Sequence, residues 1–170
     1  SLNIWNAYLL TNITLERQLN PALEKVLEES LKLFPTEERF KLYQLRLTNG
    51  DAIIELANNT FNEATALFEQ NEFLESAKLY LEASKLLPED AAYLENAGHA
   101  YYLSNQNNMA LKLFDSVINH YTNGSGKADY LKGLMLFETK GQRNYACDLF
   151  ENAIRKGNED AKKAKRLLCK

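Results

Sequence analysis

The residues that could carry out chemistry are few, and the two cysteines are the first to consider. Cys147 and Cys169 are equidistant from position 158, where the run Lys156-Gly157-Asn158 predicts a turn between two helices. In an antiparallel hairpin the two cysteines would lie at the same level, and helices packed about 8–10 Å apart bring facing Cα atoms within disulfide reach. One expectation is therefore a Cys147–Cys169 disulfide. The other is a pair of buried thiols that act as small apolar side chains.

The two histidines do not form a recognisable catalytic or metal site. Neither His99 nor His120 has a Cys, Ser or carboxylate partner at a spacing typical of a triad or a metal centre, and the chain has no CxxC pair. The segment Gly124-Ser125-Gly126 lacks the lysine and the preceding strand of a phosphate-binding loop. The sequence therefore predicts a protein that is not an enzyme and that carries no cofactor and no metal.

Composition and charge narrow the class of partner. The chain has 170 residues, of which 45% are hydrophobic and 25% charged, with a formal net charge of -3. Lysine and arginine are scattered among acidic residues, which disfavours nucleic acid and anionic membranes as main partners. No apolar run approaches the roughly 20 residues that span a bilayer, and no signal peptide is visible. The chain begins with Ser1, so a fragment of a longer polypeptide is one interpretation, and both cytoplasm and periplasm stay open as compartments.

Helices are the elements that must position these residues. Only three prolines and seven glycines occur, which favours long helices joined by short turns, and strand signals are nearly absent. The stretch Phe40–Leu47 alternates like a strand, but Thr36 as an N-cap followed by Glu37 and Glu38 favours a helix. The sequence therefore predicts an all-α fold.

Three copies of one pattern follow each other along the chain. A shift of 34 residues aligns Ala64 with Gly98 and Tyr80 with Phe114, and a further shift of 36 aligns Phe114 with Phe150. Each copy has small residues that allow two helices to approach closely and a large ring that fills the space opposite them. One hairpin cannot bury both of its faces, so neighbouring hairpins are expected to stack and share a core.

This pattern resembles the tetratricopeptide repeat, in copies at 57–90, 91–124 and 127–160. The resemblance is carried by small and large apolar residues at repeat positions: Ala64, Leu67, Phe73, Tyr80, Ala83, Pro88, Leu94, Gly98, Tyr101, Ala110, Phe114, Val117, Tyr130, Phe137, Gly141, Ala146, Phe150 and Ala153. Ser76 departs from the usual alanine, and Gly133-Leu134 inverts the usual order. The C-terminal stretch is also similar to Sel1-like repeats. The resemblance implies a right-handed α-solenoid of stacked antiparallel hairpins in a bacterial protein.

The segments outside the three copies are less regular. Residues 1–56 are interpreted as irregular helices that form a degenerate repeat, with a helix that starts at Asn20-Pro21 and another over 37–48 that has no evident partner. A capping box at 60–63 predicts a break in a long helix over 52–70. Residues 161–170 are expected to form a capping helix, and the whole chain is expected to be one continuous domain.

The resemblance implies a partner-binding groove on the first helix of each pair. The residues that it places there are Asn58, Phe61, Asn62, Thr65, Glu95, Asn96, His99, Tyr102, Lys132 and Met135. Side-chain amides such as those of Asn62 and Asn96 can hold a peptide backbone whatever its side chains are. The alternative is that these are polar surface positions without a role. A carboxylate clamp of the chaperone-binding type is not expected, because only Asn96 and Lys132 match its residues.

The sequence therefore predicts a non-catalytic module that binds a protein or peptide segment of unknown identity in a concave groove. The alternative function is structural: a self-associating or regulatory segment of a larger bacterial protein, for which a homo-oligomer is expected. Binding of nucleic acid and insertion into a membrane are not expected.

Overall fold

The computed structural model describes residues 2, 4, 5, 9, 21–137, 139 and 141–169. This part of the chain is all-helical and contains no strand, which confirms the predicted all-α class. Residues 2, 4, 5 and 9 are helical, and the described residues from 21 onwards form nine helices. They are α1 (Pro21–Leu33), α2 (Glu38–Thr48), α3 (Gly50–Glu69), α4 (Phe73–Leu86), α5 (Ala91–Leu103), α6 (Asn107–His120), α7 (Lys127–Phe137), α8 (Arg143–Arg155) and α9 (Glu159–Leu168). None of these helices is both long and apolar enough to cross a bilayer.

Two helix boundaries differ from the sequence expectation. The cap of α2 is Glu37 rather than Thr36, because the Glu37 carboxylate accepts from the backbone N–H of Arg39 and also pairs with its guanidinium. The predicted break at 60–63 is wrong, since α3 continues without interruption to Glu69. The Thr60 hydroxyl donates to the carbonyl of Leu56 at 2.8 Å instead of capping a new helix. The predicted Asn20 cap lies outside the described residues, although α1 does begin at Pro21.

The turns that close α3 and α5 share one backbone geometry. Asn71 and Asn105 both adopt positive φ angles, 64° and 62°, which asparagine tolerates better than most residues. In each turn the following N–H reaches back five residues: Glu72 donates to Leu67 at 2.9 Å, and Gln106 donates to Tyr101 at 2.8 Å. This pair of bonds satisfies carbonyls that a helix end leaves without partners. The two asparagines, 34 residues apart, therefore occupy equivalent turns.

Rings nest against glycines between successive helices. A Cβ atom added at Gly98 would lie 2.5 Å from Cε1 of Phe114, and one added at Gly133 would lie 2.6 Å from Cε1 of Phe150. Both rings are fully buried. The 36-residue shift aligns Gly98 with residue 134. In the structure, however, the Phe150 ring lies against Gly133. One residue more separates ring and glycine in the α7–α8 pair than in the α5–α6 pair.

Consecutive helices contact each other along the described chain, and α5 also contacts α7. The central core runs from Ala64 to Leu131, and a separate cluster beneath α1 and α2 centres on Leu23, Leu27 and Phe40. The helix over 37–48, which has no predicted partner, lies against both α1 and α3. Its last turn is held by a bidentate ion pair between Arg46 and Glu89, which follows α4.

One serine explains a departure from the repeat pattern. Ser76 is fully buried, and its hydroxyl donates to the carbonyl of Ala64 at 2.7 Å. A buried hydroxyl is tolerated when it has such an acceptor. Ser76 therefore fills the place of a small apolar residue and adds a hydrogen bond between α3 and α4.

Helix α9 covers the exposed face of α8, the helix before it. Helix α9 packs chiefly against α8 through Ala161 and Ala164, while Lys162 and Lys163 are exposed. A disulfide joins Cys147 of α8 to Cys169, with the two Cα atoms 5.9 Å apart. The hairpin of α8 and α9 is thus closed by a covalent bond at the end opposite to its turn.

Candidate functional site

A cleft of about 570 Å³ lies between α5, α7 and the first turn of α9. Aromatic, aliphatic and charged side chains share its lining. The lining residues are His99, Tyr102, Ser125, Lys127, Tyr130, Leu131, Leu134, Gly157, Asn158, Glu159 and Asp160. Its size and mixed lining are typical of ligand and peptide sites. Of the residues expected in a groove, His99 and Tyr102 are the two that line this cleft.

Glu95 fixes the rim of the cleft. Its side chain is only 2% exposed, and its carboxylate accepts from the Ser125 backbone N–H at 3.2 Å and from the Ser125 hydroxyl at 2.6 Å. It also accepts from the backbone N–H of Ala128 at 3.4 Å, in the first turn of α7. A carboxylate near the N-terminus of a helix is favoured by the helix dipole. Glu95 therefore docks the start of α7 onto α5 and is not available to a partner.

Asn96 and Lys127 form the next contact along the same rim. The Asn96 amide donates to the Ala92 carbonyl at 2.8 Å and accepts from the Lys127 ammonium at 2.8 Å. Burial lowers the pKa of Lys127, and the nearby Glu95 carboxylate opposes that shift. Asn96 is thus already engaged within the chain, while Lys127 presents the cationic side of the cleft.

His99 has a buried ring nitrogen without a hydrogen-bond partner among the described residues. Its ring packs on Phe68 with centroids 5.1 Å apart, and the unpaired atom is Nδ1. Burial lowers the pKa of His99 to about 4, and the charge of Lys127 adds to the shift. The ring is therefore neutral near pH 7. A buried polar atom without a partner costs about 1–3 kcal/mol of stability.

The opposite side of the cleft is acidic and aromatic. Burial raises the pKa of Tyr130, and the charges of Asp160 and the neighbouring Tyr102 raise it further. Asn158 caps α9 by accepting from the Ala161 N–H at 3.0 Å, which aims the first turn of α9 at the cleft. Glu159, also in this turn, is paired with Lys162. The cleft thus has a cationic side at Lys127 and an anionic side at Asp160.

The residues expected on α3 do not line this cleft. Asn58 and Asn62 are exposed elsewhere on α3. Phe61 packs between the rings of Tyr80 and Tyr93, with centroids 5.1 Å and 5.4 Å away. The Thr65 hydroxyl donates to the Phe61 carbonyl and is bonded to the Tyr80 hydroxyl, both at 2.9 Å. Phe61 and Thr65 therefore contribute to the packing between helices.

Lys132 and Met135 are likewise engaged by the fold. Lys132 is only 8% exposed, and its ammonium donates to the carboxylate of Asp115 and to the hydroxyl of Tyr145 at 3.0 Å. Burial lowers the pKa of Lys132. The hydrogen bonds to Asp115 and Tyr145 outweigh this effect, so the pKa is raised above its usual value. Met135 packs against the central core. Two of the three N–H donors of the Lys132 ammonium are therefore engaged within the chain.

Several lining residues were not predicted from the sequence. Ser125, Lys127 and Tyr130 belong to the start of α7, and Gly157–Asp160 belong to the turn before α9 and its first turn. From the sequence, the final helix was expected only to cover the last hairpin. The N-cap signal of Asn158 could have placed the acidic first turn of α9 beside the preceding hairpin.

A second hollow of similar volume lies between α2, α3 and α4. It is lined mainly by leucines and by the charged residues around them: Lys41, Leu42, Leu45, Leu56, Thr60, Glu82, Lys85 and Leu86. Leu45 and Leu56 are 45% and 51% exposed. This apolar surface, too, was not predicted from the sequence.

The described residues contain no group of three or more His, Cys, Asp or Glu that could hold a metal ion. No protein-family model matches the chain, and no curated protein and no solved structure shows significant similarity to it. The function is therefore inferred from the geometry of the cleft.

The neutral state of His99 predicts a pH dependence of stability. The unfolded histidine takes up a proton near pH 6.5 and the folded one only near pH 4, so the unfolded state binds more protons between these values. We expect the free energy of unfolding to fall as the pH drops from 6.5 to 4, by about 1 kcal/mol after allowance for the partial exposure of the ring. Urea unfolding across this range measures the effect.

The matched variants for this test are His99→Gln and His120→Gln, since His120 is exposed at the end of α6. His99→Gln should remove about 1 kcal/mol of the pH dependence, and His120→Gln should leave it unchanged. An NMR titration of His99 with a midpoint near 6.5 would contradict the burial argument.

Proposed function

We propose that the chain is a non-catalytic interaction module and that a segment of a partner protein binds in the cleft between α5, α7 and α9. The observation that carries this proposal is a cleft of about 570 Å³ whose lining combines apolar side chains with the charges of Lys127 and Asp160. A peptide backbone offers both donors and acceptors, so it can pair with the polar side chains of the lining. Within the same proposal, the helices form a tetratricopeptide-like solenoid, and the cleft belongs to its concave side.

The lining defines the chemistry of the bound segment. Leu131, Leu134 and Tyr102 line the cleft and offer apolar contacts. Asp160 favours a basic side chain, and Lys127 favours an acidic group or a carbonyl. The expected segment therefore combines an apolar residue with a basic and an acidic one.

The proposal is tested with a random dodecapeptide display library selected on the intact chain. We expect enriched peptides to carry a basic residue beside an apolar one. Their affinity should fall about threefold in Asp160→Arg, because the attraction of an exposed carboxylate for a basic residue becomes a repulsion. Asp148→Arg is the matched control, since Asp148 is an exposed residue of α8 outside the lining of the cleft, and it should leave affinity unchanged.

Amide chemical shifts locate the bound peptide independently. The largest changes are expected at His99, Lys127 and Asp160. Peptides that bind equally well to both arginine variants, or that shift amides of α3 and α4 only, would overturn the proposal. Thermal melting of each variant controls for loss of folding.

Self-association is the second candidate function, and the exposed leucines between α2 and α3 favour it. Lys41, Lys85 and Glu82 surround the hollow that contains Leu45 and Leu56, so a two-fold arrangement would place opposite charges across an apolar contact. Light scattering at increasing concentration should then detect a dimer that Leu45→Glu abolishes. A monomer at all concentrations would exclude this candidate.

A further inference from the structure

Helix α9 is the wall of the cleft with the smallest apolar contact. It packs chiefly against α8, and its buried residues are Ala161 and Ala164. Leu167 is 64% exposed. Stabilisation by burial scales with the apolar area removed from water, and alanine methyl groups remove little. Apolar packing alone therefore holds α9 weakly.

The polar contacts of α9 add little to this packing. The ion pair between Lys165 and Glu151 joins α9 to α8, but the two side chains are 42% and 44% exposed. Exposed ion pairs contribute little to stability because water and salt screen them. The Cys147–Cys169 disulfide, with Cα atoms 5.9 Å apart, is therefore the main restraint on the far end of α9.

The near end of α9 follows a hydrogen-bonded turn. Gly157 has a φ of 91°, its N–H donates to the Ile154 carbonyl at 2.9 Å, and the Asn158 N–H donates to the Ala153 carbonyl at 2.9 Å. Immediately before Gly157, the Lys156 ammonium donates at 2.7 Å to the carboxylate of Asp129, which is 1% exposed. These bonds fix the turn and the end of α8. A displacement of α9 would therefore begin at Glu159 and leave α8 in place.

We propose that the Cys147–Cys169 disulfide is a redox switch for the cleft: its reduction releases α9 from α8 and withdraws Glu159 and Asp160, the first turn of α9, from the lining. A thiolate of a small dithiol attacks one cysteine sulfur and forms a mixed disulfide. The second thiol of the reductant displaces that cysteine, so two cysteine thiols and one cyclic disulfide result. Both cysteines are partly exposed, so a small reductant has access to the bond.

The release of α9 is independent of the proposed function, and only the consequence for partner affinity depends on it. The first experiment therefore uses no ligand. Hydrogen exchange of the amides of residues 159–168 is compared in the intact chain before and after treatment with dithiothreitol, and the mass gain of two hydrogens verifies complete reduction. We expect the amides of α9 to lose most of their protection, while those of α5 lose only what the lower global stability of the reduced chain accounts for and stay at least about tenfold better protected than those of α9.

The variant Cys147→Ser/Cys169→Ser is the control for side effects of the reductant. Its α9 amides should exchange as fast as those of the reduced chain, and dithiothreitol should not change them. Unchanged protection of α9 after complete reduction would overturn the proposal. Equal protection of α9 and α5 in the reduced chain would also overturn it, since the bond would then have no local effect on α9.

The second readout is the state of the cleft itself. If Glu159 and Asp160 leave the lining, the cleft opens to water and the NMR titration midpoint of His99 should rise from about 4 towards 6.5. A midpoint that stays near 4 while α9 exchanges freely would overturn the link between the disulfide and the cleft. Neither readout needs a partner, so failure of the peptide selection leaves both interpretable.

Discussion

Replacement of Phe114 by alanine is expected to lower the free energy of unfolding by about 3–5 kcal/mol, the cost of deleting a fully buried phenylalanine from a core. The Phe114 ring is fully buried in the central cluster and lies directly against the backbone of α5 at Gly98. A cavity at this position has few ways to collapse, because one of its walls is a helix backbone. Urea unfolding followed by circular dichroism measures the change.

Met109→Ala is the matched control for this deletion. Met109 lies on the same helix as Phe114, but it is 38% exposed. Its truncation should cost less than about 1 kcal/mol, as expected for a surface position. Equal destabilisation by the two variants would show that Phe114 does not occupy the core position described.

Loss of the disulfide is the second large effect. The variant Cys147→Ser/Cys169→Ser should lose about 3 kcal/mol, because the bond closes a loop with a sequence separation of 22 and restricts the unfolded chain. For a chain of this size such a loss lowers the melting temperature by about 6–12 °C. Differential scanning calorimetry of the oxidised protein and the variant gives the shift.

Reduced wild-type protein supplies the control, since it keeps both sulfur atoms and lacks only the bond. It should melt within about 2 °C of the double serine variant. If reduction left the melting temperature unchanged while the variant melted early, the serine hydroxyls and not the missing bond would be responsible.

The helical class and most helix boundaries could be predicted from the sequence because they depend on local signals. Few breakers, the turn asparagines and the N-cap Asn158 each act within a few residues. The uninterrupted course of α3 could not be predicted in this way. Its capping box at 60–63 is a valid local signal, but Ala57 and Ala64 are buried on both sides of it, and their packing favours a continuous helix.

The candidate site was less accessible to sequence reasoning because partners within the chain depend on tertiary contacts. From the sequence, Lys132 was expected to be available to a partner. In the structure it forms an ion pair with Asp115 of α6. Glu95 is equally engaged, by the start of α7. Of the predicted groove residues, His99 and Tyr102 line the cleft. No neighbouring helix supplies a partner for the His99 Nδ1 among the described residues.

The close approach of α5 to α6, and of α7 to α8, depends on phenylalanine rings that lie against glycines. A double-mutant cycle with Gly98→Ala and Phe114→Leu tests this arrangement most directly. Gly98→Ala alone should cost about 1–2 kcal/mol, since overpacking outweighs the better helix propensity of alanine. With Phe114→Leu the ring that a Cβ would meet at 2.5 Å is gone, and the same change should become neutral or stabilising.

Gly50→Ala is the reference for the propensity effect alone, because a Cβ atom there would meet no atom within 4 Å. The measurement is the coupling energy between positions 98 and 114 from urea unfolding of the four proteins. The account predicts a coupling of at least about 1 kcal/mol, as is found for residues in direct contact. Additive effects, with Gly98→Ala as harmless as Gly50→Ala, would contradict it.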